Sequence, residues 1–446
     1  MSEDASRHLK RNFALGVANG VVFMAGSSLL SATTILPTFL ENVFRSKALI
    51  GVGAYLLAMG WNLPQIVVAY FVRAFRYRKP IYIYGNLTRM AFIGAFVACI
   101  YFLHDSPRTL GILFFVLLGC AGLAAGTVGL VYQDIVARTI PANRRGAYNA
   151  YRIFGGQGVA AIASSLVAKW VLDHPERFPY PLNYVLIFGV AWACMTSGTV
   201  IFSLVREPPD PVQRSRQSFR IFTAEVLLVL RRNRNYRLYL LQRLLRACEG
   251  FAIPYYVLFA KDALGLGDGA VGTFQIVGVV TVVLAAIWWG RISDSTGNRS
   301  VITLSSIAAA AAPLAALGVA WANRAGAFAG ARTLGLFGAS VSAQGGTLAT
   351  LAMGAVFVLV AAAGAGSQIG FPNYIMDTAP ARRRQTYLGL TTTYDGILLI
   401  VLPAVGGLLI EVTGYAVGFL VTLLVLAASV AVSTRLHEPR QALQSN

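Results

Sequence analysis

Residues 141–148 read PANRRGAY, and 239 residues further on residues 380–387 read PARRRQTY. Each copy follows one long apolar run and opens the next. Working outward from the first copy, apolar runs fall at about 12–39, 49–72, 81–103, 109–135, 147–170 and 183–205. Around the second they fall at about 237–260, 270–289, 301–322, 347–376, 386–410 and 415–434. A run of about 20 apolar residues matches the hydrocarbon thickness of a bilayer as a helix. Only helix satisfies the backbone there without water. The expected fold is an all-α membrane protein of 12 transmembrane helices in two six-helix pseudo-symmetric halves, residues 1–205 and 237–446, joined by a linker over 206–236.

Composition agrees. Of 446 residues, 56% are hydrophobic and 12% charged, about half the charged share of an average soluble domain. The formal charge of +19 could suggest nucleic acid, but its distribution points to topology instead. Of the 37 Lys and Arg, 25 fall in the segments on the side of the N-terminus, 8 in the opposite loops and four inside spans. By the positive-inside rule, both termini and the linker are expected in the cytoplasm, the protein itself being multi-pass in the cell (inner) membrane. The start, MSEDASRHLKRNFALG, lacks the short apolar core and cleavage site of a secretory signal and reads as a retained tail. The linker opens on a proline-rich stretch. It continues over about 219–232 with mixed basic and apolar residues, as an interfacial helix on anionic lipid would. Cys99, Cys120, Cys194 and Cys248 all lie in apolar runs without metal-ligand spacing and read as buried thiols.

The loop after the eighth run reads GRISDSTGNRS, in which Gly290, Asp294, Gly297 and Arg299 give G-x-x-x-D-x-x-G-x-R. With six plus six spans, this resembles the signature loop of the major facilitator superfamily (MFS), and the resemblance covers nearly the whole chain. It implies an MFS fold, no cofactor and secondary transport. It also implies that Asp294 caps a neighbouring helix end near Arg382–Arg384, while Arg299 pairs with acidic groups to latch the cytoplasmic side. A carboxylate does favour the positive end of a helix, and glycine permits the tight turn. The matching loop of the first half, YFVRAFRYRKP, carries Ala74 in the aspartate's place. The family's antiporter signature is absent from the fifth span, whereas Pro403, Gly406 and Gly407 form a similar pattern in the eleventh.

Charges inside spans are expensive and mark candidate sites. Glu249 stands eleven residues into the seventh run, about 16 Å deep, and Asp395 is similarly placed in the eleventh. Desolvation favours the neutral form of a carboxylic acid, which suits proton uptake and release. Arg246, three residues before Glu249, shares its helix face and can pair with it structurally or bind an anion. Arg243 is expected to snorkel. Arg152, about 9 Å into the fifth run, suits either an anion or a structural pair. Arg89 in the third run is expected to pair or snorkel, and Asp134 and Asp377 to neutralise nearby arginines.

Neutral polar residues add a second layer. Asn19, Phe23, Ser27, Ser31 and Thr34 form a stripe along the first span. Asn62 and Gln65 flank Pro64 in the second; Gln157, Tyr255, Tyr256, Gln275, Gln368 and Asn373 lie on the fifth, seventh, eighth and tenth. By the resemblance, these spans border a cavity near the midplane. Each polar residue alone also fits helix packing. Prolines 37, 64, 254 and 403 free backbone carbonyls at mid-span.

The four histidines are scattered in tails and loops, and no nucleophile elbow, Walker A or zinc motif occurs, so no enzyme, catalytic residue, metal or cofactor is expected. The expected function is secondary active transport of a small organic solute by alternating access, coupled to protons. An exporter of lipophilic or cationic compounds is the alternative within transport. A non-transporting assembly or lipid-handling protein is the alternative outside it. Expected partners are a small-molecule substrate, H+ and membrane lipids, with no nucleic acid, and the chain is expected to be a monomer. The Ala/Gly-rich external segment over 323–346 leaves loop, lid and extra helix open, with disorder as the cautious reading.

Overall fold

The computed structural model describes residues 8–65, 68, 77–208, 233–336, 339–379 and 384–437. The interfacial helix expected over 219–232 and the Ala74 loop lie outside the described residues. The described helices are α1 (Leu9–Ser28), α2 (Ile35–Val43), α3 (Lys47–Asn62), α4 (Lys79–Leu103), α5 (Pro107–Thr139), α6 (Ala142–Ile153), α7 (Ala161–Asp173) and α8 (Leu182–Ser203). They continue as α9 (Arg234–Ala247), α10 (Ile253–Asp262), α11 (Asp268–Thr296), α12 (Asn298–Arg324), α13 (Gly345–Thr378), α14 (Arg384–Thr413) and α15 (Tyr415–Ser433).

Eight of these are long and apolar enough to cross a membrane: α4, α5, α8, α11, α12, α13, α14 and α15. Among the other expected spans, three are interrupted by identifiable chemistry. Between α1 and α2 lies a hydroxyl-rich stretch in which Ser27 and Ser28 donate back to the carbonyls of Met24 and Ala25, at 3.1 and 2.8 Å, competing with the helical ladder. Between α6 and α7, Phe154–Ala160 forms a π-helix through FGGQGVA; glycines offer little resistance to the wider turn. Between α9 and α10, Cys248–Phe251 tightens into a 3-10 turn. Pro254 causes this, because it has no N–H to give the Gly250 carbonyl and its ring crowds that group.

One expectation is corrected. The segment after α12 is not disordered throughout: β1 (Ala331–Leu336) pairs antiparallel with β2 (Ala339–Gln344), with Ala331 opposite Gln344. Interleaved small, β-branched and polar residues carry no apolar period, so sequence pattern alone cannot reveal such a hairpin.

The chain divides into two compact units. The first holds residues up to 31, 55–234 and 380–400; the second holds 32–54, 235–379 and 401 onward. A six-plus-six division would assign 32–54 and 380–400 the other way round. In the first unit α1 packs on α8, and α4 on both α5 and α8. The contact is aromatic at Phe96, whose ring lies 5.4 Å from Phe114 and 6.0 Å from Phe188. α3 meets α5 at Gly60 and Gly122, where a Cβ on Gly60 would collide with the Gly122 backbone, the small-residue contact typical of membrane helices. In the second unit α13 packs on α11 and α12, and α12 on α15. Phe274 stacks on Phe357 at 4.6 Å and Tyr239 on Tyr374 at 5.7 Å.

Candidate functional site

The break between α9 and α10 seats a largely buried ion pair. The guanidinium of Arg246 contacts the carboxylate of Glu249, with Arg246 2% and Glu249 25% exposed at the side chain. Arg246 sits at the end of α9, and Glu249 in the 3-10 turn that follows it. Ordinary helical spacing therefore gives way where the pair forms. Leaving one of these buried charges unpaired would cost about 3–5 kcal/mol, and mutual contact relieves both.

The backbone around this pair is tightly held. A Cβ on Gly406 would collide with Phe251, and Gly250 faces Pro403. Tyr255 directs its hydroxyl to the carbonyls of Pro403 and Lys47, at 2.7 and 2.8 Å, so this predicted cavity residue ties three segments together. Tyr256 is buried, within electrostatic reach of Glu249, and its ring lies 5.0 Å from Phe419. Gln275 is buried and accepts a hydrogen bond from Thr34.

The first unit has a different centre. α4 presents Tyr82, Asn86 and Arg89 at i, i+4 and i+7, all buried. Arg89 lies over the Phe23 ring of α1 at 5.2 Å. Arg152 lies over the Tyr132 ring of α5 at 4.7 Å, and the Tyr132 and Tyr148 hydroxyls are 2.7 Å apart. Both guanidiniums are within electrostatic reach of the Tyr82 hydroxyl. Among the described residues, neither arginine contacts a carboxylate. The Nε of each is buried without a hydrogen-bond acceptor. Arg89 thus departs from the expected structural pair or snorkelling. Its side chain is held inside the helix bundle by Phe23, short of the surface.

Other predicted residues lie apart from these centres. Asn62 bonds to its own helix at the Ala58 carbonyl, 3.0 Å away, and neighbours Gly396, next to Asp395. Ser27 is used within α1. Gln65, Gln157 and Asn373 are half-buried, and Gln368 is exposed. Arg243 lies over Phe371 at 4.4 Å. Asp134 pairs with Arg78 at 3.1 Å and with Arg138, as expected of a neutralising group.

The signature loop is built around Gly297, whose φ of 93° favours glycine. Gly290 has open space where a Cβ would stand. Ser293 donates to Asn298 at 2.7 Å, and Asn298 donates to Asp377 at 2.7 Å, a chain the sequence reading missed. Arg299 donates to the Thr434 carbonyl. Asp294 is exposed, and the side chains of its expected neighbours Arg382–Arg384 lie outside the described residues.

A further cluster at the expected external ends of the second unit was also missed. Lys47 meets Asp262 at 3.1 Å, and Lys261 meets Glu41 at 3.1 Å and Asp268 at 3.0 Å. Ser46 donates to Glu411 at 3.0 Å, and Tyr415 donates to Asp262. Burial, with Asp262 adding and Lys261 opposing, pushes the Glu41 carboxyl above its ordinary pKa. Asp262 moves the other way: burial is outweighed by hydrogen bonds from Tyr415 and Lys47.

Eight helices long and apolar enough to cross a membrane mark a polytopic membrane protein. The profile of the Major Facilitator Superfamily matches residues 15–356, and the chain belongs to that family. It is a non-enzymatic multi-pass membrane transporter. No curated protein matches by sequence. Among solved structures, a mutant of the nucleoside transporter NupG is similar with a TM-score of 0.70 at 13% identity, covering 96% of this chain and 100% of that one. An auto-inhibited POT family peptide transporter is similar at 0.67 and 12%, covering 96% of each chain. A bacterial homologue of the iron transporter ferroportin is similar at 0.61 and 16%, covering 96% and 99%. At these identities the likeness is one of fold.

Proposed function

We propose that this protein is a secondary active transporter that moves a small organic solute by alternating access and couples it to protons. In this reading the chain makes twelve spans in halves 1–205 and 237–446 around a linker at 206–236. Both termini face the cytoplasm of a cell whose inner membrane holds the protein as a monomer. The observation that carries the reading is the Arg246–Glu249 pair at the break between α9 and α10. Protonating Glu249 removes the counter-charge of a buried guanidinium, which then needs another anion or a rearranged helix break. Deprotonation restores the pair. A proton and a conformational or binding event thus compete for one partner, which is the coupling a symporter or antiporter requires. Asp395 is the second candidate carrier. The NupG and POT structures, described as nucleoside and peptide transporters, support a small organic cargo as a class.

The test is uptake into proteoliposomes with and without an imposed pH gradient. Glu249→Gln should lose gradient-driven accumulation while retaining counterflow exchange of the same solute. Unchanged gradient dependence would remove Glu249 from the coupling.

A further inference from the structure

In the second unit Arg246 meets Glu249, Lys47 meets Asp262, and Lys261 meets Glu41 and Asp268. In the first unit, Arg78 and Arg138 share Asp134. Arg89 and Arg152 have no such carboxylate among the described residues, although Arg89 lies ten residues into α4, about 15 Å from its start. Membrane interiors tolerate a charge only when something compensates it, so the compensating group must be sought outside the described side chains.

What is unsatisfied around these arginines defines what would fit. Each guanidinium carbon lies over an aromatic ring, a position that favours a cation without supplying a hydrogen-bond acceptor to its N–H groups. The buried Nε of each has no acceptor. The Tyr132 and Tyr148 hydroxyls bond each other; each carries one proton, and one proton satisfies the contact. The second therefore has no acceptor in that pair. The unmet needs are for acceptors beside two positive charges. Planar N–H edges match carboxylate or phosphate oxygens bidentately, a geometry that a lysine could not offer.

The backbone is shaped to the same end. A Cβ on Gly20 would collide with the Cγ of Arg152, and one on Gly16 with the Tyr148 ring. α1 thus carries glycine where the two side chains lie against it. The π-helix begins two residues after Arg152, a wide turn of the kind found at functional sites.

We propose that Arg89, Arg152 and the Tyr132–Tyr148 hydroxyl pair form an oxyanion-binding subsite within the first unit, so that the transported solute carries a carboxylate or phosphate. The subsite rests on the transport reading for its role in a cycle, but anion binding stands independently. Acidic oxygens of the solute supply the missing acceptors, and the paired Arg246–Glu249 remains available for protons.

Binding to the purified full-length protein tests the idea, read by calorimetry and by thermal unfolding. Succinate, benzoate and glycerol phosphate serve as anionic probes, with glucose, uridine and tetraphenylphosphonium as neutral and cationic controls. At least one anion is expected to bind and raise the unfolding temperature. Which anion binds distinguishes carboxylate from phosphate recognition. Arg152→Gln and Arg89→Gln should each weaken that binding by roughly 10–100-fold, and Tyr148→Phe by a smaller factor. Arg152→Lys, which keeps the charge, should recover only part. Binding of none of the anions at millimolar concentration would overturn the subsite, as would an anion bound equally well by both Gln variants. Neutral or cationic cargo transported independently of both arginines would overturn it while leaving the transport reading intact. Arginine-dependent anion binding without any transport would do the reverse.

Discussion

Two regions of this membrane protein bury arginine side chains and do so differently. In the second unit, Arg246 has its carboxylate three residues away, and a helix break brings the two together. In the first unit, Arg89 and Arg152 have aromatic rings but no described carboxylate. The contrast teaches that a buried arginine can be met by a carboxylate close in sequence or covered by an aromatic ring from a distant helix. The proton and anion roles proposed above are two readings of that difference.

The largest effect should come from breaking the local solution. Glu249→Ala leaves Arg246 buried and uncompensated and should cost about 3–5 kcal/mol, read by unfolding in detergent. The double replacement Arg246→Met with Glu249→Leu should cost much less than that single change. Arg89→Met should be neutral or mildly stabilising in the absence of solute, because no described pair is lost. A large destabilisation by Arg89→Met would erase the contrast between the units.

Glycines sharpen the same comparison. Gly406→Ala drives a methyl group into the Phe251 backbone, which cannot yield without moving the helix break, and should cost about 1–3 kcal/mol. Gly20→Ala meets instead the Arg152 side chain at its Cγ, so that side chain must change rotamer or the helices must part. It should cost about 1–3 kcal/mol and also weaken anion binding. At the signature loop, Gly297→Ala forces a side chain into a φ of 93° and should cost about 1–3 kcal/mol.

The smallest expected effect is a pH dependence at the Glu41–Lys261–Asp262–Lys47 cluster of the second unit. Glu41 holds its proton more tightly folded than unfolded, chiefly through burial. Above its ordinary value of 4.5 the unfolded chain therefore releases that proton first. The contribution of Glu41 to stability falls as pH rises from there through its raised folded value. Asp262, held below its ordinary 3.8, contributes stability above that value and loses it as pH falls. Lys47, Lys261, Asp268, Glu411 and Tyr415 complete the charged and titratable surroundings. Unfolding temperatures measured from pH 4 to 7 should show a decline that Glu41→Gln removes. An identical profile in the variant would place the decline elsewhere.

Much of the fold was legible because the bilayer forces backbone satisfaction within each segment. Apolar length then marks the eight helices long enough to cross a membrane. Arg246 and Glu249 were legible as a pair because three residues on a helix bring side chains to one face. Legibility ended where partners come from distant helices. Nothing in the sequence around Arg89 shows that Phe23 would cover its face, or that Asp134 would be engaged by Arg78 and Arg138 instead. Tyr255 reads as a cavity residue, and only packing reveals that its hydroxyl holds the Lys47 and Pro403 carbonyls.

The sequence by itself determined the membrane class, the family and the eight helices long enough to cross a membrane, because these follow from hydrophobicity, local spacing and a contiguous loop motif. The tertiary structure decided which charges are cancelled and which are not. Compensation depends on distances of a few ångströms between segments separated by tens to hundreds of residues, and Coulombic and hydrogen-bond energies at that range are set by packing, not by order along the chain.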